Sequence, residues 1–129
     1  MDSIFTKIIN REISAYIIAE NDEFIAFLDV FPLAKGHTLV IPKKQVDYIF
    51  DLDDGTYSRL WLFAKNISDK VNSAINCKRV GVAVIGLEVP HAHIHLVPLN
   101  SVEDINFSRP KLKLDESEFV EIHKRIVNA

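Results

Sequence analysis

Apolar positions recur along this chain in two rhythms, one near helical spacing and one of strict alternation. Between Ser3 and Ile9 the apolar residues Ile4, Phe5, Ile8 and Ile9 fall at i, i+1, i+4 and i+5, which predicts a short helix capped by Asp2 or Ser3. Tyr16 to Glu20 and Glu23 to Asp29 are strand-like runs separated by Asn21-Asp22, the shape of a hairpin with a short polar turn. Pro32 and Gly36 mark a loop, and His37 to Ile41 reads as a third strand ended by Pro42. Lys43 to Leu52 is irregular. Asp51, Asp53 and Asp54 then place acidic charge where a helix begins. Tyr57, Leu60, Trp61, Ala64, Ile67, Val71, Ala74 and Ile75 follow at helical spacing, predicting an amphipathic helix of about six turns with a core-facing stripe.

Arg79 to Ile85 reads as a fourth strand, Gly86 to Pro90 as a turn and Ala92 to Leu99 as a fifth strand. The pattern is lost from Asn100 to Pro110. Asp115 to Val127 then predicts a final helix with Phe119, Ile122, His123 and Ile126 on one side, His123 being a surface or half-buried helix residue. No repeat, linker or low-complexity tract divides the chain. The expectation is one α+β domain over residues 1–129, built on a mostly antiparallel sheet.

Composition narrows the partners. At 129 residues, 48% hydrophobic and 26% charged, the chain has the make-up of a soluble globular domain with a real core. A net charge of −3 gives no field that would attract nucleic acid or an anionic membrane, so an anionic substrate needs a local site. The single cysteine, Cys77, excludes an internal disulfide and fits a reducing compartment; it reads as a small helix-end residue. No apolar run reaches the ~20 residues of a membrane span and no signal peptide is visible. A cytoplasmic protein is expected.

The chemistry concentrates in His91-Ala92-His93-Ile94-His95-Leu96-Val97. Strand geometry puts His91, His93 and His95 on one face, starting roughly 6.5–7 Å apart, and Ala92, Ile94 and Leu96 on the other. A solvated face with no chemical purpose is one reading, disfavoured because histidine is a mediocre strand former and neighbouring cations repel. A second is a zinc or non-haem iron site, with Glu88 or Asp29 adding a carboxylate. A third is nucleophilic catalysis on phosphorus, since a neutral imidazole attacks without prior deprotonation and its neighbours can donate protons.

The row resembles the signature of the histidine triad (HIT) superfamily of nucleotide hydrolases and transferases, His-φ-His-φ-His-φ-φ with φ apolar. Three more segments resemble that superfamily in collinear order. They are Ser3-Ile-Phe-Thr-Lys-Ile-Ile9, Ala26-Phe-Leu-Asp-Val-Phe-Pro32 and Gly36-His-Thr-Leu-Val-Ile-Pro-Lys-Lys44. The likeness spans roughly residues 3 to 98.

The resemblance implies a HIT-like fold, a five-stranded antiparallel sheet with helices on one side, comprising one long helix and short terminal helices. It implies a homodimer that meets through the long helix and binds a purine nucleotide. The implied reaction needs no obligatory cofactor. His93 matches the nucleophile that attacks the α-phosphorus and forms a nucleotidyl-histidine intermediate, later resolved by water. His95 matches the histidine that contacts the phosphate and helps protonate the leaving group, His91 the orienting member, and His37 a fourth histidine nearby. His37 can also be read as a packed strand-end residue. Asp29 matches the acceptor of ribose hydroxyls, or is a plain turn residue. Phe5, Ile8, Val30 and Leu39 match an apolar slot for the purine, and could equally be core.

Two departures qualify the likeness. Some family members hold a structural zinc where this chain has Ser3, Thr6 and Gln45 beside His91, so no metal is expected. The turn before the triad, usually rich in hydrogen-bond donors, is here Gly86-Leu87-Glu88. An ionised Glu88 accepts only and repels a polyphosphate. It is expected either to pair with Arg79 or a lysine, or to favour a cationic amine leaving group such as a nucleoside phosphoramidate supplies. The alternatives kept open are a nucleotide-binding regulatory or scaffold protein with weak or no catalysis, and a metal-dependent hydrolase.

Overall fold

In the computed structural model, which describes residues 1–129, the elements run α1 (Ile4–Ile9), β1 (Ile17–Glu20), β2 (Phe24–Leu28), β3 (Thr38–Pro42), α2 (Asp54–Ala74), β4 (Arg79–Ala83), β5 (Ile94–Leu99) and α3 (Glu116–Val127). Short 3₁₀ turns at Ile49–Asp51 and Val102–Ile105 occupy stretches that carry no periodic pattern. The strands form one antiparallel sheet in the order β1-β2-β3-β5-β4. The fold is α+β, with the five-stranded antiparallel sheet that the resemblance implies and with β5 of the histidine row paired between β3 and β4.

Each helix begins where a side chain can take an orphan backbone N–H. Ser3 Oγ accepts from Thr6 N–H, Asp53 from Thr56 and Asp115 from Glu118, the last closed by Glu118 into a capping box. Helix α2 buries Leu60, Ala64, Ile67 and Val71, and α3 buries Phe119, Ile122 and Ile126. Both lie on the sheet face that carries Ala26, Leu28, Val40, Ala92, Ile94 and Leu96. His123 is half-buried and its Nε2 meets the Ile17 carbonyl at 2.6 Å, tying α3 to β1.

The helices do not all share one side. Helix α1 lies on the opposite face, where Phe5 and Ile8 pack with Ile25, Phe27, Leu39 and Ile41. Covering both faces is why β2 and β3 are buried along their whole lengths. It also makes a wall: one side of the histidine face is closed by α1, and the rest is left as a cleft.

Gly36 fixes the approach to that cleft. Its φ is +93°, and a Cβ there would sit 2.8 Å from Ile75 Cγ1 and 3.3 Å from Pro98 Cγ. Only a glycine lets the chain pass between α2 and β5 and turn straight into His37.

Candidate active site

Strand β5 is shorter than the alternation suggests. It starts at Ile94, so His91 and His93 precede the sheet ladder. The reason is local hydrogen bonding: His91 N–H donates to Val89 and Ala92 N–H to Val46, not to a strand neighbour. The alternation of faces persists nonetheless. Rings 93 and 95 lean together to a centroid separation of 4.8 Å, closer than an ideal strand places them.

The hydrogen bonds fix where each imidazole carries its proton, because a neutral ring has one donor and one acceptor and a carbonyl only accepts. His93 Nδ1 lies 2.7 Å from the His91 carbonyl, so Nδ1 carries the hydrogen. Its Nε2 is left with a lone pair, and the ring lines the cleft. His37 Nδ1 receives the Leu33 N–H at 3.0 Å, so the His37 proton is on Nε2. That proton is donated to His95 Nδ1 at 2.9 Å. His95 therefore keeps its own hydrogen on Nε2. The chain Leu33 to His37 to His95 holds a donor beside the lone pair of His93.

Burial keeps these rings neutral. Desolvation, reinforced by His95 and by the Lys111 ammonium, pulls His37 down to about 3. Desolvation with His93 and Lys111 lowers His95 to about 4. His93 and His91 are also held below the ordinary histidine value, chiefly by burial. Asp29 Oδ2 is 3.6 Å from His37 Nε2, but with His37 neutral this is no ion pair. Asp29 Oδ1 accepts the Phe31 N–H at 2.8 Å, and burial raises the carboxyl above its usual value.

His91 is placed differently from the other two. It is fully buried and does not reach the cleft. Its Nε2 donates to the Pro42 carbonyl at 2.7 Å, and its Nδ1 accepts the Ser3 hydroxyl at 2.8 Å. The ring thus ties α1 and β3 together, and only its backbone carbonyl orients His93. Thr6 and Gln45 complete this knot: Thr6 Oγ1 donates to Gln45 Oε1 at 2.7 Å, which also accepts the Ser3 N–H.

Two clusters resemble metal sites and neither offers the donors. Asp29, His37 and His95 bring ligand atoms within 4.8 Å of one another. His37 Nε2, however, is protonated because Nδ1 faces an N–H, and His95 Nδ1 is taken up by that proton, so only the Asp29 carboxylate remains, short of the three protein ligands of a catalytic zinc. At the other cluster both nitrogens of His91 are engaged, and Ser3, Thr6 and Gln45 supply hydroxyls and an amide.

The cleft has a volume of about 430 Å³, within the range of small-molecule sites. Phe5, Ile8, Leu39, Val30 and Asp29 line it, as do Gly86, Glu88, His37, His93 and His95. Phe5 stands edge-on to His93 at 5.0 Å. Glu88 pairs with neither Arg79 nor any lysine; it is exposed at the rim, and its charge acts on His93 and Asp29. Phe107 and Lys111 are among the lining residues that sequence reasoning missed. Phe107 lies edge-on to His95 at 4.7 Å, and Lys111 joins it at the rim. Both come from the stretch after β5, where no periodicity marks them.

Similarity to known proteins extends over the same elements. The family model of the HIT domain matches residues 10–102. A HIT-like protein of Borreliella burgdorferi is 38% identical over 133 residues, covering 97% of this chain and 96% of the relative. The adenosine 5'-monophosphoramidase of Saccharomyces cerevisiae is 29% identical over 126 residues, covering 96% of this chain and 80% of the enzyme. Among solved structures, a HIT-like protein from Bartonella henselae superposes with a TM-score of 0.84 at 29% identity, covering 98% of this chain and 95% of its own.

Proposed function

The chain belongs to the HIT domain family, and from that premise we propose that it is a nucleotide hydrolase or transferase acting on a nucleoside phosphoramidate at the α-phosphorus. The observation that carries this reading is the tautomer of His93: the His91 carbonyl holds the proton on Nδ1 and leaves a lone pair on Nε2 in the cleft. The name of the yeast relative supports the substrate class.

In the proposed reaction the nucleobase lies in the apolar slot of Phe5, Ile8, Val30 and Leu39, and Asp29 accepts from the ribose hydroxyls. The Nε2 lone pair of His93 forms a bond to phosphorus as the P–N bond breaks. The bonding pair leaves with the nitrogen. His95 Nε2–H donates to the phosphate oxygens or to the departing atom. His95 has no second proton to give, because His37 already occupies its Nδ1. The amine therefore departs neutral if the scissile nitrogen enters protonated, and Glu88 at the rim favours that cationic nitrogen. The His93 imidazolium, still bonded through Nδ1–H to the His91 carbonyl, is a good leaving group when water attacks the adduct. The proton released by water then goes to the free amine.

Glu88→Gln tests the substrate assignment. The variant is expected to lose about five- to tenfold in kcat/KM on adenosine 5'-phosphoramidate relative to a dinucleoside polyphosphate, the scale of one exposed charge contact of about 1 kcal/mol. An unchanged ratio would show that Glu88 does not select the amine. If wild type released no AMP from either compound, the hydrolase reading itself would fail. The homodimer belongs to the same proposal, supported by exposed Leu62 on α2 and exposed Val82 on the sheet-edge strand β4. So does a cytoplasmic setting, supported by the free thiol of Cys77; no helix is long and apolar enough to cross a membrane.

A further inference from the structure

The segment after β5 straps back over the histidines. Phe107 lies against the His95 ring, and a turn closed by Arg109 N–H to the Asn106 carbonyl redirects the chain. Leu112 N–H then bonds the Pro32 carbonyl at 2.8 Å, tying the strap to the loop before His37. Between these ties sits Lys111. Its Nζ donates to the Phe107 carbonyl at 2.7 Å and lies 5.7 Å from the Phe107 ring centre. It forms no ion pair, and it is the one lysine or arginine that lines the cleft.

An ammonium has three hydrogens, and the carbonyl uses one. Two donors are left beside His95, where the leaving group departs. The other charged rim group, Glu88, stands at the turn before His93. Beyond the half-buried Asp29, the exposed charged groups of the cleft are therefore one anion and one cation. Among the histidines Lys111 acts on His95 and His37 and Glu88 on His93, while both act on Asp29.

We propose that Lys111 is a specificity-determining residue that holds an anionic group on the leaving group, so that with Glu88 the cleft selects nucleotides joined through P–N to an amino acid with a free carboxylate. This rests on the phosphoramidate reading above. The scissile nitrogen becomes an amine facing Glu88, and the carboxylate a few bonds away reaches the free hydrogens of Lys111. A leaving group that is only cationic leaves Lys111 unused, and one that is only anionic meets Glu88.

The test compares kcat/KM for adenosine 5'-phosphoramidates of glycine and of glycine methyl ester, with diadenosine tetraphosphate as a third substrate. Wild type is expected to prefer the free acid to the ester by about fivefold, the scale of one exposed ionic contact. Lys111→Gln is expected to bring that ratio to about one, and Lys111→Arg to keep most of it. Equal rates for acid and ester in wild type, or a ratio that survives Lys111→Gln, would overturn the proposal while leaving the hydrolase reading intact. If Lys111→Gln instead impaired only the tetraphosphate, the anion held would be a phosphate and the amino-acid assignment would be wrong. Absence of AMP release from all three in wild type would overturn the underlying phosphoramidate reading as well.

Discussion

Replacing His93 with alanine is expected to lower turnover of adenosine 5'-phosphoramidate by about 10⁴- to 10⁶-fold, the scale seen when a covalent nucleophile is removed. Nothing else in the cleft can take its place. His95 Nδ1 is occupied by the His37 proton and its Nε2 carries a hydrogen, while His37 is bonded through both ring nitrogens. No second imidazole lone pair faces the substrate. His95→Ala removes a donor, not the attacking atom, so a smaller loss of about 10²- to 10³-fold is expected. His91→Ala keeps the carbonyl that orients His93. Its cost should appear mainly in stability, because the ring bonds to Pro42 and Ser3 are lost. Steady-state kinetics and thermal denaturation of the three variants check this order, and comparable turnover for His93→Ala and wild type would contradict it.

Acid should unfold this protein early. In the unfolded chain His37 and His95 titrate near 6.5, whereas the fold holds them at about 3 and about 4. Above 6.5 both states are neutral at these sites and neither histidine affects stability. Between 6.5 and about 4 the unfolded chain binds a proton at each site and the folded chain does not, so stability falls as pH falls. Each histidine contributes a slope of about 1.4 kcal/mol per pH unit across that window. Asp29 works in the opposite direction near the carboxylate range, since its folded carboxyl is raised. The thermal midpoint is therefore expected to drop steeply between pH 6.5 and 4.5, and to drop less steeply in His37→Asn. A midpoint that stays level over that interval would contradict the buried neutral pair.

Much of the architecture is legible in the chain because it depends on local chemistry. Asp53 and Asp115 announce α2 and α3 by their capping side chains, and the stripe of Leu60, Ala64, Ile67 and Val71 is the buried face of α2. The alternation from His91 to Val97 gives the correct faces. It cannot show where β5 begins, because Ala92 N–H is spent on Val46, a residue in an aperiodic stretch. The side of the sheet taken by α1 was equally hidden: two apolar residues, Phe5 and Ile8, fit either face.

The candidate site divides in the same way. Residues on α1, on the strands and on their adjoining turns could be named from the motifs, and ten of them line one cleft. Their proton positions could not, because they depend on carbonyls and N–H groups brought in from elsewhere, Leu33 for His37 and the His91 backbone for His93. Phe107 and Lys111 had no signal beyond one aromatic residue in a polar, proline-flanked stretch. They enter the cleft only because the strap is tied to Pro32. Likewise, Ser3, Thr6 and Gln45 were recognisable as lacking zinc ligands, but not as a closed hydrogen-bonded knot around His91.

The most direct measurement is mass spectrometry of wild-type protein mixed with adenosine 5'-phosphoramidate and quenched within one turnover at alkaline pH, since P–N bonds to imidazole are acid-labile. The expected result is a mass increase of one adenylyl group, located by peptide mapping on His93 and missing from His93→Ala. Release of AMP with no adduct at any time point, or an adduct on a different residue, would contradict the assignment of His93 as the nucleophile.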